Sequence, residues 1–291
     1  MEGGPAPPRG KMRILNLMKS TEPAHDWSAE DRRIKIHGAE AFEGMRRAGR
    51  LAAETLDFIT PYVKPGVTTG ELDRLCHAFI TDHGAVPAPL NYRGFPKSIC
   101  TSINHVVCHG IPGEKKLQDG DIMNIDVTVI LDGWHGDTSR MFFVGKVGVK
   151  AQRLVDVTYK AMMRGIEAVR PGATVGDIGH AIQTFAEAHR FSVVRDFCGH
   201  GIGRVFHDAP SILHFGRPGT GPTLREGMFF TVEPMINAGR YDVKVLDDGW
   251  TAVTRDRSLS AQFEHTVAVT ADGYEIFTRS PAGLDHPPYA V

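Results

Sequence analysis

Alternating apolar and polar positions predict a β-hairpin near the middle of the chain. From residue 122 to residue 130 the apolar side chains would lie on one face and the polar ones on the other, namely Met123, Ile125, Val127 and Val129 against Asn124, Asp126 and Thr128. Asp132-Gly133, a favoured two-residue hairpin loop, comes next, and the hairpin would run from Asn124 to Phe142. Such a loop sets Asp126 opposite Ser139 and makes Asp137 its diagonal neighbour on the same face.

Apolar residues at helical spacing predict helices on both sides of the hairpin. The first covers Ala39 to Tyr62 and is ended by Pro61. The second begins at Thr68 or Thr69, either of which is a good helix cap, and reaches about His83. A third covers Lys150 to Val169. These helices would supply the layer that covers the sheet.

A repeat links the second helix to a later part of the chain. Residues 64–84 read KPGVTTGELDRLCHAFITDHG and residues 170–190 read RPGATVGDIGHAIQTFAEAHR, an offset of 106 residues. A single repeat at this distance is not a solenoid. It predicts two halves of similar build, each a helix pair that leads into the sheet. The alternative is a chance likeness of two helix starts.

Five further segments have the composition of strands. They are residues 98–102, 104–108, 191–197, 227–235 and 260–269. His109 directly follows the second of these, and glycines bracket His200 after the third. Glu233 lies near the end of the fourth and Glu264 inside the fifth, where an unpaired charge would be costly.

Composition narrows the class of protein. The chain has 291 residues, is 42% hydrophobic and carries a net charge of −1, which argues against nucleic acid or an acidic membrane as the main partner. No apolar run is long enough for a membrane helix, and the four cysteines form no Cys-x-x-Cys pair. Residues 1–5 are neither basic nor apolar, so we expect no secretory signal there. A reducing, cytoplasmic location is expected. Proline and glycine in residues 1–35 predict a flexible N-terminal arm.

The strand-borne acids suggest a metal centre. Four carboxylates and one imidazole stand out, namely Asp126, Asp137, Glu233, Glu264 and His200. A mixed oxygen and nitrogen donor set of this size suits two divalent ions that share bridging carboxylates. Taken singly, each residue has an ordinary explanation, since an isolated Asp on a hairpin is usually solvated and a lone His usually lies in the core or at the surface.

From about residue 34 to about residue 280 the sequence resembles the type I methionine aminopeptidases of the bacterial and organellar kind. The likeness rests on the motifs at residues 92–100, 106–112, 124–128, 135–139, 198–203, 231–235 and 258–265. It implies an α+β pita-bread fold, with two pseudo-symmetric halves around a mostly antiparallel sheet. Residues 36–291 would form a single catalytic domain.

The resemblance also implies roles for the metal ligands. Asp137 and Glu264 would bridge two divalent ions, which could be Co, Mn, Fe or Zn. Asp126 would bind one ion, and His200 and Glu233 the other. A hydroxide activated by the ions would attack the first peptide bond, with Glu233 carrying protons. His109 and His207 match the family's two active-site histidines that are not ligands, and both would contact the substrate.

The resemblance implies two further sites. The methionine pocket would be lined by Tyr92, Phe95, Cys100, Phe206 and Trp250, and a soft thiol with aromatic walls suits a thioether. A Na or K site would involve Asn104, Val106 and Ser260. Three positions depart from the usual family pattern, namely Pro89, Arg93 and Phe95. Their effect on specificity is left open.

The implied activity is removal of the N-terminal methionine from nascent or newly made proteins whose second residue is small. The implied partners are such chains, with the ribosome as an open candidate and no membrane or nucleic acid. Three alternatives stay open, namely an Xaa-Pro aminopeptidase or prolidase of the same fold, a binding protein that has lost its metals, and a metal phosphoesterase. The sequence leaves the physiological metal and the oligomeric state undecided, although the family favours a monomer.

Overall fold

A computed structural model of the chain describes residues 31–289, so residues 1–30 of the predicted arm lie outside the described part. Four α-helices follow the predicted pattern, α1 (Ala39–Ile59), α2 (Thr69–Asp82), α3 (Val149–Glu167) and α4 (Val175–Ala188). The predicted first helix changes into a 3₁₀ turn over Thr60–Tyr62, where Pro61 cannot continue the α-helix. Of the described helices, none is both long and apolar enough to cross a membrane.

Fifteen strands are named in chain order within residues 31–289. They are β1 (Val86–Pro87), β2 (Cys100–Ile103), β3 (Val106–Cys108), β4 (Ile122–Leu131), β5 (Trp134–Phe143), β6 (Ser192–Val193), β7 (Gly199–Gly201), β8 (Asp208–Ile212), β9 (Phe229–Val232), β10 (Met235–Asn237), β11 (Val243–Val245), β12 (Ala252–Thr254), β13 (Ser260–Gln262), β14 (Glu264–Thr270) and β15 (Gly273–Ile276). A nine-stranded sheet has the central order β1-β4-β5-β14-β9-β7-β8. Two three-stranded sheets, β13-β10-β6 and β11-β12-β3, lie beside it.

The predicted hairpin is confirmed in position and register. Strands β4 and β5 pair antiparallel with Asp126 opposite Ser139 and Thr128 opposite Asp137. Asp132 and Gly133 form the two-residue loop with φ angles of 51° and 80°, the positive values that a tight hairpin turn of this kind requires. The side-chain alternation and the turn therefore specify the same register.

The repeat corresponds to two helices of equal length. Both α2 and α4 have 14 residues, and they begin 106 residues apart. Each starts after a capping threonine, since the Thr68 hydroxyl accepts from the Glu71 N–H at 3.1 Å and the Thr174 hydroxyl from the Asp177 N–H at 3.3 Å. The sequence likeness thus marks two similar helix pairs, as predicted.

The helices cover one face of the central sheet and leave the other face for polar groups. On β4, Met123, Ile125 and Val127 are fully buried in an apolar cluster with residues of α1 and α2. A second cluster joins α3 and α4 to β9 and β14. The polar alternation on β4, which includes Asp126, therefore points away from the first cluster.

All five predicted strand segments are shorter in the structure than expected. Residues 98–102 and 104–108 correspond to the shorter strands β2 and β3. Residues 227–235 and 260–269 each divide into two strands, at Glu233-Pro234 and at Phe263, and only Ser192–Val193 is extended between residues 191 and 197. Proline has no N–H for the ladder, so pairing stops where the chain reaches Pro234. At both breaks the chain crosses between the nine-stranded sheet and the β13-β10-β6 sheet, leaving the larger sheet after β9 and entering it at β14. Both glutamates of the predicted centre lie at these crossings.

We expect Gly136→Ala to destabilise the protein by about 1–3 kcal/mol. A Cβ at this position would collide with the carbonyl oxygen of Ala48 and would lie 2.6 Å from the Gly49 nitrogen, both in the backbone of α1. Urea unfolding measures the loss. Gly113→Ala is the matched control, because its Cβ would meet no atom within 4 Å. Equal losses in the two variants would contradict this account.

Candidate metal centre

The five predicted ligands lie on, or directly after, five neighbouring strands of the central sheet. Their order across the sheet is Asp126 on β4, Asp137 on β5, Glu264 on β14, Glu233 just after β9 and His200 on β7. Ser139 is paired with Asp126 on one side and with Glu264 on the other. Its small side chain separates the two carboxylates without filling the space between them.

The side chains converge on one cavity. Asp137, His200 and Glu264 are buried and each offers a ligand atom within 4.8 Å of the others. His200 Nε2 lies 3.6 Å from an oxygen of Asp137 and 3.6 Å from an oxygen of Glu233. Asp126 and Glu233 line the same cavity. The structure thus brings together all five residues that the sequence singled out.

Hydrogen bonds fix the orientation of these groups. The Thr128 hydroxyl donates to Asp137 at 2.7 Å, and the Thr231 hydroxyl donates to Glu233 at 2.7 Å. The backbone N–H of His200 donates to the hydroxyl oxygen of Thr231 at 3.0 Å. His200 Nδ1 lies 3.1 Å from the Gly201 carbonyl, an acceptor, so Nδ1 carries the proton and the Nε2 lone pair is available to a metal.

The glycines around His200 are required by close packing. A Cβ at Gly199 would collide with the Thr231 carbonyl, and one at Gly201 would collide with the Ala209 carbonyl. The neighbouring strands β9 and β8 therefore approach the His200 backbone more closely than any side chain would allow. Close packing against these strands therefore explains the Gly-His-Gly motif.

The acids are strongly perturbed by burial. Loss of hydration raises the pKa of Asp126 to about 7 and that of Glu233 to about 8. Burial, together with the charges of neighbouring carboxylates, raises the pKa of Asp137 and of Glu264 well above the usual range. Within residues 31–289, no Lys or Arg other than Arg93 lines this cavity.

The donor set fits divalent cations. Four buried carboxylates repel one another, and positive charge placed among them would relieve both that repulsion and the cost of burial. Carboxylate oxygens with one imidazole nitrogen suit Mn²⁺, Fe²⁺, Co²⁺ or Zn²⁺. Asp126, Asp137, Glu233, Glu264 and His200 could hold such ions.

The predicted substrate residues form the walls of the same cavity, which has a volume of about 920 Å³ including space open to solvent. They are Tyr92, Phe95, Cys100, His109, Phe206, His207 and Trp250. Phe95 and Trp250 pack edge to face with their ring centroids 5.1 Å apart. His207 Nδ1 lies 3.0 Å from the Tyr92 hydroxyl. An apolar pocket thus adjoins the acidic cluster.

Both predicted non-ligand histidines are neutral at physiological pH. Burial lowers the pKa of His109 to about 4. Burial also lowers the pKa of His207, helped by the nearby His200 imidazole, whose ring centroid is 4.2 Å away. His109 has a φ of 56° directly after β3, which directs the chain out of the sheet at that point.

The sequence did not single out several residues that support the site. They are Thr128, Thr231, Gln262 and His214, which hold the ligands, and Phe197, Met235, Cys108 and Cys198, which line the cavity. Alternation placed Thr128 and Thr231 on the faces of their acidic neighbours, a signal that could have found them. Nothing local marks His214, which accepts the Glu233 N–H at 3.1 Å.

The predicted monovalent-cation residues lie close together beside the main cavity. The N–H of Ser260 donates to the Asn104 carbonyl at 2.8 Å, and Asn104 has a φ of 56°. The Ser260 hydroxyl is buried and has no hydrogen-bond partner among the described residues. Asn104 and Val106 border a smaller pocket that includes Thr101.

Comparison with known protein families identifies the class. The model of metallopeptidase family M24 matches residues 43–271. The methionine aminopeptidase of Rickettsia prowazekii is 72% identical over 257 residues, which cover 88% of this chain and 99% of that protein. The methionine aminopeptidase of Escherichia coli K12 is 56% identical over 247 residues, which cover 84% of this chain and 94% of that protein.

Comparison with solved structures agrees with the sequence comparisons. A crystal structure of the Rickettsia prowazekii enzyme superimposes with a TM-score of 0.84 at 72% identity, covering 84% of this chain and 99% of that one. The protein is thus a metallopeptidase with the pita-bread fold that the sequence predicted. The chain belongs to metallopeptidase family M24 and, within it, to the type I methionine aminopeptidases.

The perturbed acids predict that the metal-free protein loses stability as the pH rises from about 6.5 to 8. Unfolded carboxyl groups ionise near pH 4. In the folded protein Asp126 and Glu233 keep protons up to about pH 7 and pH 8. Unfolding therefore releases protons in this range, and a higher pH favours it. This contribution is complete below about pH 4 and is lost as the pH passes the folded pKa values.

The predicted pH range begins at about 6.5 because, below that pH, buried histidines change the stability in the opposite direction. His109 and His200, whose pKa values are lowered to about 4, bind protons only after unfolding, so acid destabilises the fold there. Urea unfolding in the presence of a chelator measures the slope between pH 6.5 and 8. Asp126→Asn should flatten the slope. Stability that rises across this pH range would contradict the prediction.

Proposed function

We propose that this enzyme removes the N-terminal methionine from polypeptides whose second residue is small. The observation that carries the proposal is the apolar pocket directly beside the five-residue acidic cluster, in a chain that is 72% identical to a methionine aminopeptidase. A first residue whose side chain fills the pocket would present its α-amine and its peptide bond to the cluster. Nascent chains are the natural substrates, which implies a cytoplasmic location and transient contact with the ribosome.

Two divalent ions would be held by the cluster. Asp137 and Glu264, the two most central acids, would be shared between the ions, with Asp126 on one side and His200 and Glu233 on the other. When bound, the ions would lower the pKa of a water molecule and polarise the scissile carbonyl. Asn104, Val106 and Ser260 would bind a Na or K ion beside this centre.

Glu233 is the proton carrier of the proposed mechanism. The Thr231 hydroxyl donates to one of its carboxylate oxygens, and Gln262 Nε2 lies 3.3 Å from the other. These contacts fix the carboxylate at the edge of the cluster. From there it can accept the proton of the attacking water and deliver it to the leaving amine. His214 holds the Glu233 backbone at the strand break.

His207 and His109 position the substrate carbonyl and the scissile amide. Both imidazoles are neutral, so each can donate one hydrogen bond without adding charge to the site. The Tyr92 hydroxyl can donate to His207 Nδ1, which leaves the proton on Nε2 for the substrate. Such donors stabilise the oxyanion that develops on the carbonyl.

The pocket recognises methionine by shape and polarisability. Phe95 and Cys100 are buried members of its lining, and Phe206 packs against Tyr92 with ring centroids 4.9 Å apart. Burial raises the pKa of the Cys100 thiol well above its usual range, so it remains a neutral thiol. A neutral thiol and aromatic rings favour a flexible thioether over a charged side chain.

Methionine release tests the proposed function. Metal-stripped protein should release no methionine from a Met-Ala-Ser peptide, and addition of Co²⁺ or Mn²⁺ should restore release. An Xaa-Pro peptide serves as the comparison substrate, and we expect no hydrolysis of it. If the folded protein binds the metals yet leaves Met-Ala-Ser intact, the proposal is wrong. Hydrolysis of the Xaa-Pro peptide alone would favour the prolidase alternative.

We expect His207→Ala to lower kcat by about 10²–10³ while metal content changes little, because it removes an oxyanion donor and leaves every proposed ligand in place. Metal analysis and peptide kinetics on the same preparation measure both quantities. His180→Ala, at an exposed position on α4, is the matched control and should retain wild-type activity. A rate loss fully explained by loss of metal would contradict the assigned role.

A further inference from the structure

One basic side chain lies at the mouth of the active-site cavity. Arg93 lines the cavity, and among the described residues it is the one member of the lining that is exposed. The exposed part of a lining marks where a cavity opens to solvent. If the first residue of the substrate occupies the pocket, the rest of the peptide leaves through this opening and passes Arg93.

The backbone and a ring contact hold Arg93 in place. It lies in the 3₁₀ turn Tyr92–Gly94 with a φ of 50°, a conformation that few residues other than glycine adopt. Its guanidinium carbon is 5.3 Å from the centroid of the Tyr92 ring. The hydroxyl of that ring contacts His207. The cation is therefore adjacent to the reacting end of the site.

Within the described chain, no acidic side chain neutralises the charge of Arg93. No carboxylate between residues 31 and 289 forms an ion pair with it, whereas Lys97, four residues later, lies 4.0 Å from Asp73. Two divalent ions would balance the four carboxylates of the cluster. The positive charge of Arg93 would then remain uncompensated at the exit of the loaded site.

We infer that Arg93 forms a subsite that favours substrates with a carboxylate at the third or fourth residue. This inference rests on the proposed function. The second residue lies next to the scissile bond and is small, so it cannot supply the carboxylate. Each further residue advances an extended chain by about 3.3 Å, which brings the third and fourth side chains to the rim of the cavity.

Supporting Tyr92 is the competing role for Arg93. In that role the guanidinium would only hold the Tyr92 ring, and its loss would affect every peptide alike. A charge subsite differs because it discriminates between acidic and neutral peptides of the same length. The two roles are therefore separated by a ratio of rates measured on one enzyme.

Paired peptides test the inference on the metal-loaded full chain. The pairs are Met-Ala-Glu-Ser with Met-Ala-Gln-Ser, and Met-Ala-Ser-Glu-Ser with Met-Ala-Ser-Gln-Ser. For the wild type we expect kcat/KM to be about two- to fivefold higher for Glu than for Gln in at least one pair, the size of an exposed ion pair. The preference should decrease at 0.5 M salt and should appear mainly in KM.

Variants at positions 93 and 97 test whether the preference for Glu over Gln depends on Arg93. In Arg93→Gln the Glu/Gln ratio should fall to about 1, and Arg93→Lys should retain part of the preference because it keeps the charge. Lys97→Gln is the matched control, since it removes a nearby charge that already has a partner, and its ratio should equal that of the wild type.

Two results would overturn the subsite, namely a wild-type ratio of 1 in both pairs, or a ratio that Arg93→Gln leaves intact. A uniform loss on all four peptides in Arg93→Gln, with the ratio unchanged, would assign the supporting role instead. Failure of the proposed function is distinguishable, because the wild type would then release no methionine from either neutral peptide.

Discussion

The convergence of four carboxylates in one buried cavity is the constraint on which the rest of the structure depends. Each acid loses most of its hydration, and each lies in the field of the others, so the group is unfavourable unless positive charge is bound among them. The raised pKa values of Asp126 and Glu233 express this conflict. The apolar core on the other face of the sheet supplies the stability that lets the protein keep such a cluster.

The five ligands of this cluster are divided among five neighbouring strands of the sheet. One ligand per strand spaces the side chains at the width of a strand pair, and the small Ser139 between Asp126 and Glu264 leaves room for ions. Beside the cluster, the chain leaves the central sheet at Glu233-Pro234 and enters it at Phe263. Hydrogen bonds from Thr128 and Thr231 then fix the orientation of the carboxylates.

The walls of the cavity are uncharged, whereas its floor consists of the acidic cluster, because the two parts contact different groups. Neutral His109 and His207 with the aromatic rings receive an uncharged side chain and a peptide bond, while the acids face the ions. Only Arg93 brings a basic group to the opening of this cavity within the described chain. Charge in the site is thus graded from the acidic floor through neutral walls to a basic rim.

The sequence by itself determined the features that depend on near neighbours. Side-chain alternation and the Asp132-Gly133 turn specified the hairpin and its register, and the repeated cap pattern specified the paired helices α2 and α4. The motifs around the five ligands also indicated the family, because the combination of residue types is specific even where each residue alone is not.

Only the tertiary structure decided which distant segments are adjacent. Asp137 and Glu264 are over a hundred residues apart, and their strands pair because of packing across the whole sheet, which no local pattern records. The prediction of one continuous strand over residues 260–269 was wrong for the same reason, because nothing local marks the break at Phe263. The prediction over residues 227–235 was wrong for a different reason, because it passed over Pro234, a local signal that ends strand pairing. His214 and the exposure of Arg93 were equally hidden, since burial and partners belong to the folded chain and not to any short stretch of it.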